Sequence, residues 1–556
     1  MYRPAVIFAF FCLCLSWLLP HHYAPWMTAF QDALAITAIL ILFISFGFLE
    51  RLKFPSIVIF FCAVLPFPLM QALTGKIWFW GDAWVVFLYL LSFCLAFLVG
   101  FNGDDKREQS DRLLSWLFVC IITGACLSLM LASRQWLLQP AGIWGIEIAG
   151  IRPSANMAQP NNYASLLCMA IFGVLYFFER KLIGKGTTVL LVLLLLFGIV
   201  LGQSKTSWVV SLFFLAFFLY KSRVTPFRLR FRYLVLGIGV YIAFIFLLPV
   251  VSDVLLLSSA DLADRVKSMA RWDLYRMFVS AILEGGLWGY GWTQVSVAHV
   301  IMAQDYPLGM RVAQSHNLLL DLLLWNGPVI GGFIILILGA WLARLCHRIT
   351  TPHDFFGLMA FFCLLIHGML EFPLEYAFFL MPAGLLLGCI SGGLDKPVGV
   401  VPRWLWLVMV FGVCGLGGRI IYEYVQLEDE YRQVRMEYVR VIPKEDNREL
   451  PRILILNQLE AMIKVFRMEE NNGLTNDELD FIEKTTYRYP NHYLLHFYAM
   501  TLAENGCQGQ AMEQTGLIKA IYGAAQYGIT RELVDESVDF VYGDDSYVCP
   551  RENKAR

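Results

Sequence analysis

The sequence predicts an all-α polytopic membrane protein: about thirteen transmembrane helices, a large periplasmic loop and a C-terminal soluble α-helical domain. Three observations carry this expectation. Of 556 residues, 58% are hydrophobic and only 16% charged, a balance that no ordinary soluble core requires. The apolar residues are gathered into runs of about 17 to 25, the length that crosses a hydrocarbon layer. After Tyr422 the composition changes to charged helix formers, as in "LEDEYRQVRMEYVRV".

In chain order the expected spans are 4–20, 31–49, 55–73, 83–100, 113–133, 161–178, 187–202, 207–220, 233–250, 317–342, 355–371, 377–392 and 404–422. The first follows a single Arg and runs into "LLPHHYAPW", which lacks a small-residue cleavage site, so it reads as a retained helix and not a removed signal peptide. Orientation follows from the cationic loops. "ERLKF", "DDKREQSDR", "ERKLIGKG", "KSRVTPFRLRFR", "ARLCHR" and "DKPVGVVPR" hold about seventeen Lys and Arg, against about four in the alternate short loops, which places this set in the cytoplasm. With an odd number of spans, the loop 251–316 and the tail then lie outside, in the periplasm of a Gram-negative cell. The expected domains are a transmembrane part, 1–422, and a periplasmic helical part, 423–556.

A net charge of −1 and the absence of a basic motif or phosphate loop argue against a nucleic-acid partner. Eleven of the thirteen cysteines fall in or beside spans without metal-ligand spacing, and read as small packing residues. Cys507 and Cys549 lie in the tail, where oxidation is allowed; a disulfide and two free thiols both fit. Within the tail, "YPNHYLLHFYAMTLAENGCQGQAMEQTGLIKAIYG" is patterned like one helix-turn-helix repeat, but no second clear copy follows. It reads as a docking or packing domain, with His492 and His496 as surface or packing residues.

Four polar clusters are expected on the outer face. "GIRPSANMAQPNNYAS" crowds Arg152, Asn156, Gln159, Asn161 and Asn162 at the start of the sixth span, more polar groups than capping alone needs. "LGQSKTSW" sets Lys205 between two apolar helices, where it either snorkels to the interface or, as Ser204 and Thr206 suggest, faces an anion in the bundle. In "RVKSMARWDLYRMFVSAILEGGLWGYGWTQ", Trp272, Tyr275, Val279 and Ile282 recur at near-helical spacing, which predicts an amphipathic helix ending at Gly285-Gly286, able to lie at the membrane surface with its aromatics in lipid. Arg271 and Arg276 are five positions apart, so only one of them is expected to face a given ligand. Finally "VAQSHNLLLDLLLWNGPVIGG" puts His316 between a Ser and an Asn at a helix start, a proton acceptor or an interfacial histidine. "HGMLEFPLEYAFF" adds Glu371, Glu375 and Tyr376 at the same membrane level.

The order "RWDLYR…GLWGYGWTQ…QSHNLLLDLLLWNGPVIGG" resembles the shared core of the O-antigen ligase and polymerase (WaaL/Wzy) superfamily. "MAQPNNYA" is similar to the Gln-Pro-Asn motif of the bacterial protein O-oligosaccharyltransferases of the PglL type, and the soluble tail is similar to theirs. The resemblance implies a glycosyltransferase of the inner membrane with its site facing the periplasm. It would move a preassembled glycan from undecaprenyl pyrophosphate to Ser or Thr hydroxyls of a periplasmic acceptor protein or pilin. By the same resemblance His316 is the catalytic histidine, Gln159 and Tyr376 its partners, and Arg271 the arginine that meets the pyrophosphate. Lys205 stands where relatives often have Ser-Arg, so the charge is kept without a bidentate fork. Arg152 and Asn161 are further candidates for holding the substrate.

The chemistry suits these residues: cations neutralise a departing pyrophosphate, and a hydroxyl needs its proton accepted or oriented as it attacks. Direct displacement would invert the anomeric centre. No cofactor is expected, and no acidic or His/Cys set has metal-site spacing, so a metal-independent reaction is expected, with Glu371 and Glu375 as the one conceivable exception. An O-antigen ligase acting on lipid A core, or an O-antigen polymerase, would share the donor and the histidine; the Gln-Pro-Asn motif and the tail favour a protein acceptor. A transporter would need paired inverted repeats and ionisable residues deep in the spans, neither of which is evident.

Overall fold

The structure, a computed structural model, describes residues 3–47, 52–103, 107–147, 152–257, 270–443, 445, 448–469, 472–541 and 549. It is almost entirely helical. In chain order the helices are α1 (Arg3–Leu18), α2 (Ala29–Gly47), α3 (Ile57–Val64), α4 (Phe67–Leu73), α5 (Trp80–Asn102), α6 (Arg107–Trp136), α7 (Pro160–Glu179), α8 (Lys185–Gly202), α9 (Thr206–Lys221) and α10 (Phe231–Val254). There follow α11 (Ala270–Glu284), α12 (Val295–Met302), α13 (Leu318–Arg348), α14 (Pro352–Gly368), α15 (Ala377–Leu394), α16 (Arg403–Tyr438), α17 (Asn457–Arg467), α18 (Asn476–Arg488), α19 (His492–Glu504), α20 (Gln508–Tyr522) and α21 (Ala524–Val541).

Among the described residues eight helices are long and apolar enough to cross a membrane: α5 to α8, α10, α13, α15 and α16, with α6 counted from Arg112. The other apolar stretches, Pro4–Leu18, Ala29–Ser45, Ile57–Leu73, Thr206–Lys221 and Pro352–Gly368, are shorter. Two expected spans change on folding. The segment 55–73 breaks into α3 and α4 around Leu65-Pro66, because the ring removes a backbone donor. The last span does not stop at 422: α16 continues as one helix of 36 residues to Tyr438, the polar sequence prolonging it where an end was expected.

The chain forms two compact units. The first comprises Met1–Leu65, Leu88–Val266 and Ile337–Ile421. Its centre is α7, packed on α6, α8, α9 and α14, with Tyr163 and Tyr176 wholly buried. Helices α5 and α15 cross with backbones touching: a side chain at Gly388 would come within 2.2 Å of the Phe97 carbonyl, and one at Gly100 within 2.5 Å of the Leu385 carbonyl. Small residues permit the dispersion contact that replaces the hydrophobic effect in lipid.

The second unit comprises Pro66–Phe87, Lys267–Leu336 and Tyr422–Arg556. Val300 and Ala303 share a core with Leu495, Leu517, Ile518 and Ile521. Arg488 donates to both carboxylate oxygens of Asp82 at 2.7 and 2.9 Å, a bidentate pair that is mostly buried. Glu423 accepts the N–H groups of Leu454, Ile455 and Leu456, and Glu430 pairs with Arg448 at 2.7 Å. Cys507 and Cys549 form a disulfide. His492 and His496 stack 6.2 Å apart against Tyr522 and Thr530, as packing residues do.

Candidate functional site

The candidate residues fall into two groups, one in each unit. In the first unit, the start of α7 is built by the Gln-Pro-Asn sequence. Pro160 occupies the first helical position, where a missing N–H costs nothing, and Gln159 precedes it in an extended conformation without capping the helix through its side chain. Both amides are thereby left for Glu371. Gln159 donates to one carboxylate oxygen at 3.5 Å and Asn161 to the other at 3.3 Å. The Asn161 carbonyl accepts from Ser204 at 2.8 Å and from Arg152 at 3.5 Å. Arg152 in turn donates to the carbonyls of Gly202 and Gln203 at 2.9 to 3.1 Å, closing the negative C-terminal end of α8. Its guanidinium therefore has a holding task in the protein, in addition to whatever it offers a substrate.

Glu371 is the residue that sequence reasoning left outside the main set. It is buried, and its backbone N–H is tied to His367 at the end of α14. The only signal was its place at the expected level of the outer polar clusters; nothing local marks an acid that binds two amides over two hundred residues away. Tyr376, five residues on, starts α15 and stacks on Phe378 with centroids 5.0 Å apart. Burial first, and then the carboxylates of Glu375, Asp32 and Glu371, raise its phenol above the usual range. It is held as a neutral hydroxyl, a hydrogen-bond donor. Lys205 is exposed at the α8–α9 turn, on the surface and not inside the bundle as its neighbours suggested.

In the second unit the Ser-His-Asn sequence forms a tight turn. Asn317 caps α13, its side-chain oxygen accepting from Leu319 and Leu320 at 3.0 and 3.2 Å. The Ser315 hydroxyl donates to the Asn317 carbonyl at 2.9 Å and accepts the Asn317 N–H at 3.2 Å. These bonds hold His316, between them, at φ +57°, a left-handed conformation that a non-glycine residue keeps only where its surroundings impose it. Buried Asp321 accepts the Ser315 N–H at 3.1 Å and lies within electrostatic reach of half-buried His316. Asp321 was missed because an acid in the first turn of a helix is ordinarily read as a partner of the helix end.

The break at Asn326-Gly327-Pro328 is an anchoring point. Pro328 has no N–H for the Leu324 carbonyl, and Gly327, at φ +74°, turns the chain out of helix, so two carbonyls need other partners. The Gly-x-Gly segment supplies them: Tyr290 donates to Leu324 at 2.8 Å, Gly291 to Trp325 at 3.1 Å, and the Gln71 side chain also to Trp325 at 2.8 Å. A Cβ on Gly289 would meet the Gly327 nitrogen at 2.4 Å, so only glycine allows this approach. Trp292 stacks on Trp325 at 4.6 Å and donates to Asn326 at 3.0 Å.

Helix α11 carries two apolar stripes. It ends at Glu284 before Gly285-Gly286, as expected, but its buried face is Leu274, Met277, Phe278 and Ala281. Trp272 and Val279, of the stripe read as able to lie in lipid at the membrane surface, are 69% and 49% exposed. The helix has two apolar faces, and spacing cannot say which one finds the core. Arg271 and Arg276 are both exposed. No group of three or more His, Cys, Asp or Glu residues suited to a metal occurs among the described residues.

Residues 190–337, which contain the Ser-His-Asn turn and the helix break, match the family described as O-Antigen ligase. Residues 355–533 match the family described as Virulence factor membrane-bound polymerase, C-terminal. The chain is 28% identical over 531 residues to the general O-oligosaccharyltransferase of Acinetobacter baylyi, covering 92% of this chain and 91% of the relative. It is 26% identical over 401 residues to the ComP-specific O-oligosaccharyltransferase of the same organism, covering 69% and 71%. No solved structure matches the chain significantly.

Proposed function

Because the chain belongs to the PglL-type O-oligosaccharyltransferases of the O-antigen ligase and polymerase superfamily, we propose that it transfers a preassembled glycan en bloc from undecaprenyl pyrophosphate to Ser or Thr hydroxyls of periplasmic or pilin-like proteins. The observation that carries the reading is the Ser315-His316-Asn317 turn, in which the flanking residues are consumed by capping and the histidine is held in a strained conformation within the ligase-matched stretch. In this proposal 1–422 is the catalytic membrane part of thirteen spans, 251–316 its large periplasmic loop and 423–556 a periplasmic helical domain, the chain residing in the bacterial inner membrane.

The acceptor oxygen attacks the anomeric carbon as the bond from that carbon to the pyrophosphate oxygen breaks, inverting the centre. His316 takes or orients the hydroxyl proton. Arg271 and Lys205 neutralise the leaving pyrophosphate, so that no metal is invoked. Gln159, Asn161 and Tyr376 offer hydrogen bonds to the substrate from positions held by Glu371 and Arg152.

The test is transfer of a lipid-linked glycan to a periplasmic acceptor in cells lacking their own ligase, comparing the parent with His316→Ala expressed at equal level. Glycosylated acceptor with the parent alone supports the reading. Glycan found only on lipid A core would move the chain to the ligases. Longer glycan polymer without any glycoprotein would favour the polymerase reading, which the match to a membrane-bound polymerase family keeps in view.

A further inference from the structure

The first unit contains a cavity of about 360 Å³ between α7, α8, α9 and α10, with the volume of roughly a dozen water molecules. Its wall is apolar along its length, formed by residues such as Leu175, Val192, Phe214, Gly237 and Val240. Val189 and Leu236, on α8 and α10, are exposed beside it, so the slot opens sideways between these helices.

One end of the cavity is cationic. Lys185, the first residue of α8, lines it, as does Tyr233 in the first turn of α10. Arg232, Lys185 and Arg230 all act on the Tyr233 hydroxyl, and the Arg232 guanidinium lies over the Tyr233 ring at 5.0 Å. The acid at this end, Glu179, is bound to the backbone N–H groups of Arg228 and Leu229, both at 2.8 Å. Three cations therefore stand at the mouth of an apolar slot.

This mouth is remote from the Gln159–Glu371 network. Helix α8 runs from Lys185 to Gly202, where Arg152 binds, so the two ends are separated by about 25 Å of helix. A pyrophosphate held near Gln159 is out of reach of these cations.

We infer that the α7–α10 cavity is a binding site for an anionic diacyl phospholipid of the surrounding bilayer, one acyl chain in the slot and the phosphodiester on Lys185, Arg230 and Arg232. Charge complementarity selects the occupant: an apolar chain alone would need no cations, and a zwitterionic headgroup would gain less from three of them. The site is separate from glycan transfer, and its test does not use that activity.

Native mass spectrometry of the full-length protein in detergent, titrated with palmitoyl-oleoyl phosphatidylglycerol or the matching phosphatidylcholine, reads the site directly. Phosphatidylglycerol should bind at least about tenfold tighter, and the triple variant Lys185→Gln, Arg230→Gln, Arg232→Gln should remove the preference. Gly237→Leu should abolish binding of both lipids by filling the slot. It has open space for its side chain, with nothing within 4 Å of the new Cβ. Gly239→Leu, equally unobstructed and outside the cavity lining, should bind as the parent does and controls for damage to α10. Equal binding of the two lipids, or a preference that survives the triple variant, overturns the proposal. So does displacement of phosphatidylglycerol by an equimolar polyprenyl phosphate, if Gly237→Leu abolishes binding of that lipid as well; the slot would then house the donor's tail.

Discussion

The start of α7 and the start of α13 are built from similar short polar motifs, yet the two helix starts treat them in opposite ways. At α13 the polar neighbours are used locally: Asn317 caps, Ser315 bridges, and His316 is held between them in a left-handed conformation. At α7 proline performs the local task, and Gln159 and Asn161 are released to reach Glu371, more than two hundred residues away in the chain. The difference teaches that a motif's chemistry depends on who caps the helix. Where a side chain must cap, it is lost to a substrate; where Pro160 supplies the start, the amides stay available.

The strongest way to break this comparison is His316→Ala. Transfer should fall by on the order of 10² to 10⁴-fold with normal expression and melting temperature, measured as glycosylated acceptor. Near-parental activity would leave the α13 turn with a structural role only. Next, Glu371→Gln keeps the shape of the network but removes its charge; we expect transfer to drop by about 10 to 100-fold with KM and kcat both changed, because one of the two oxygens that Gln159 and Asn161 donate to becomes an NH2 group facing a donor. A variant with parental kinetics would show that the α7 network is scaffolding.

Gly327→Ala sharpens the comparison by testing the foundation beneath the His316 helix. Its Cβ would come within 2.1 Å of the Leu287 carbonyl at a backbone angle of φ +74°, so a loss of about 2 to 4 kcal/mol is expected, read as a lower melting temperature. Gly332→Ala, which meets nothing within 4 Å, should be close to neutral. Among the variants with a measurable effect, the smallest is expected from His299, buried in α12 of the second unit. Burial, with Arg311 nearby, lowers its pKa to about 4, so the folded state keeps it neutral. Its contribution is whole above the unfolded value near 6.5 and is lost as pH falls from about 6.5 toward 4, on the order of 2 kcal/mol. His299→Phe should flatten the melting temperature of the second unit over that window; an unchanged slope would assign the acid sensitivity to other groups.

Much of this chain was legible in one dimension. Apolar runs marked the eight long helices because crossing lipid demands continuous hydrophobicity, and Gly285-Gly286 marked the end of α11. The Pro160 helix start was readable because proline acts on its own backbone. The buried face of α11 was not, since Leu274, Met277, Phe278 and Ala281 form a second apolar stripe beside the Trp272–Val279 one, and the helix period admits both. That Ser204, beside exposed Lys205, serves Asn161 was equally beyond reach, because the two lie 43 residues apart.

By itself the sequence determined that this protein is a helical membrane chain and where most of its long helices lie, because hydrophobic length acts on the residues that carry it, but not the break of 55–73 or the run of α16 to Tyr438. It also placed His316 between a Ser and an Asn at a helix start, and the bonds of Ser315, Asn317 and Asp321 that shape the turn close within seven residues. Only the tertiary structure decided that Glu371 binds the Gln-Pro-Asn amides, that Arg152 closes α8, and that Tyr290 and Gly291 satisfy the carbonyls Pro328 leaves open. Each of these joins groups far apart in the chain, and the physical reason is common to them: a buried polar atom must find a partner, but nothing in its own sequence neighbourhood says which one.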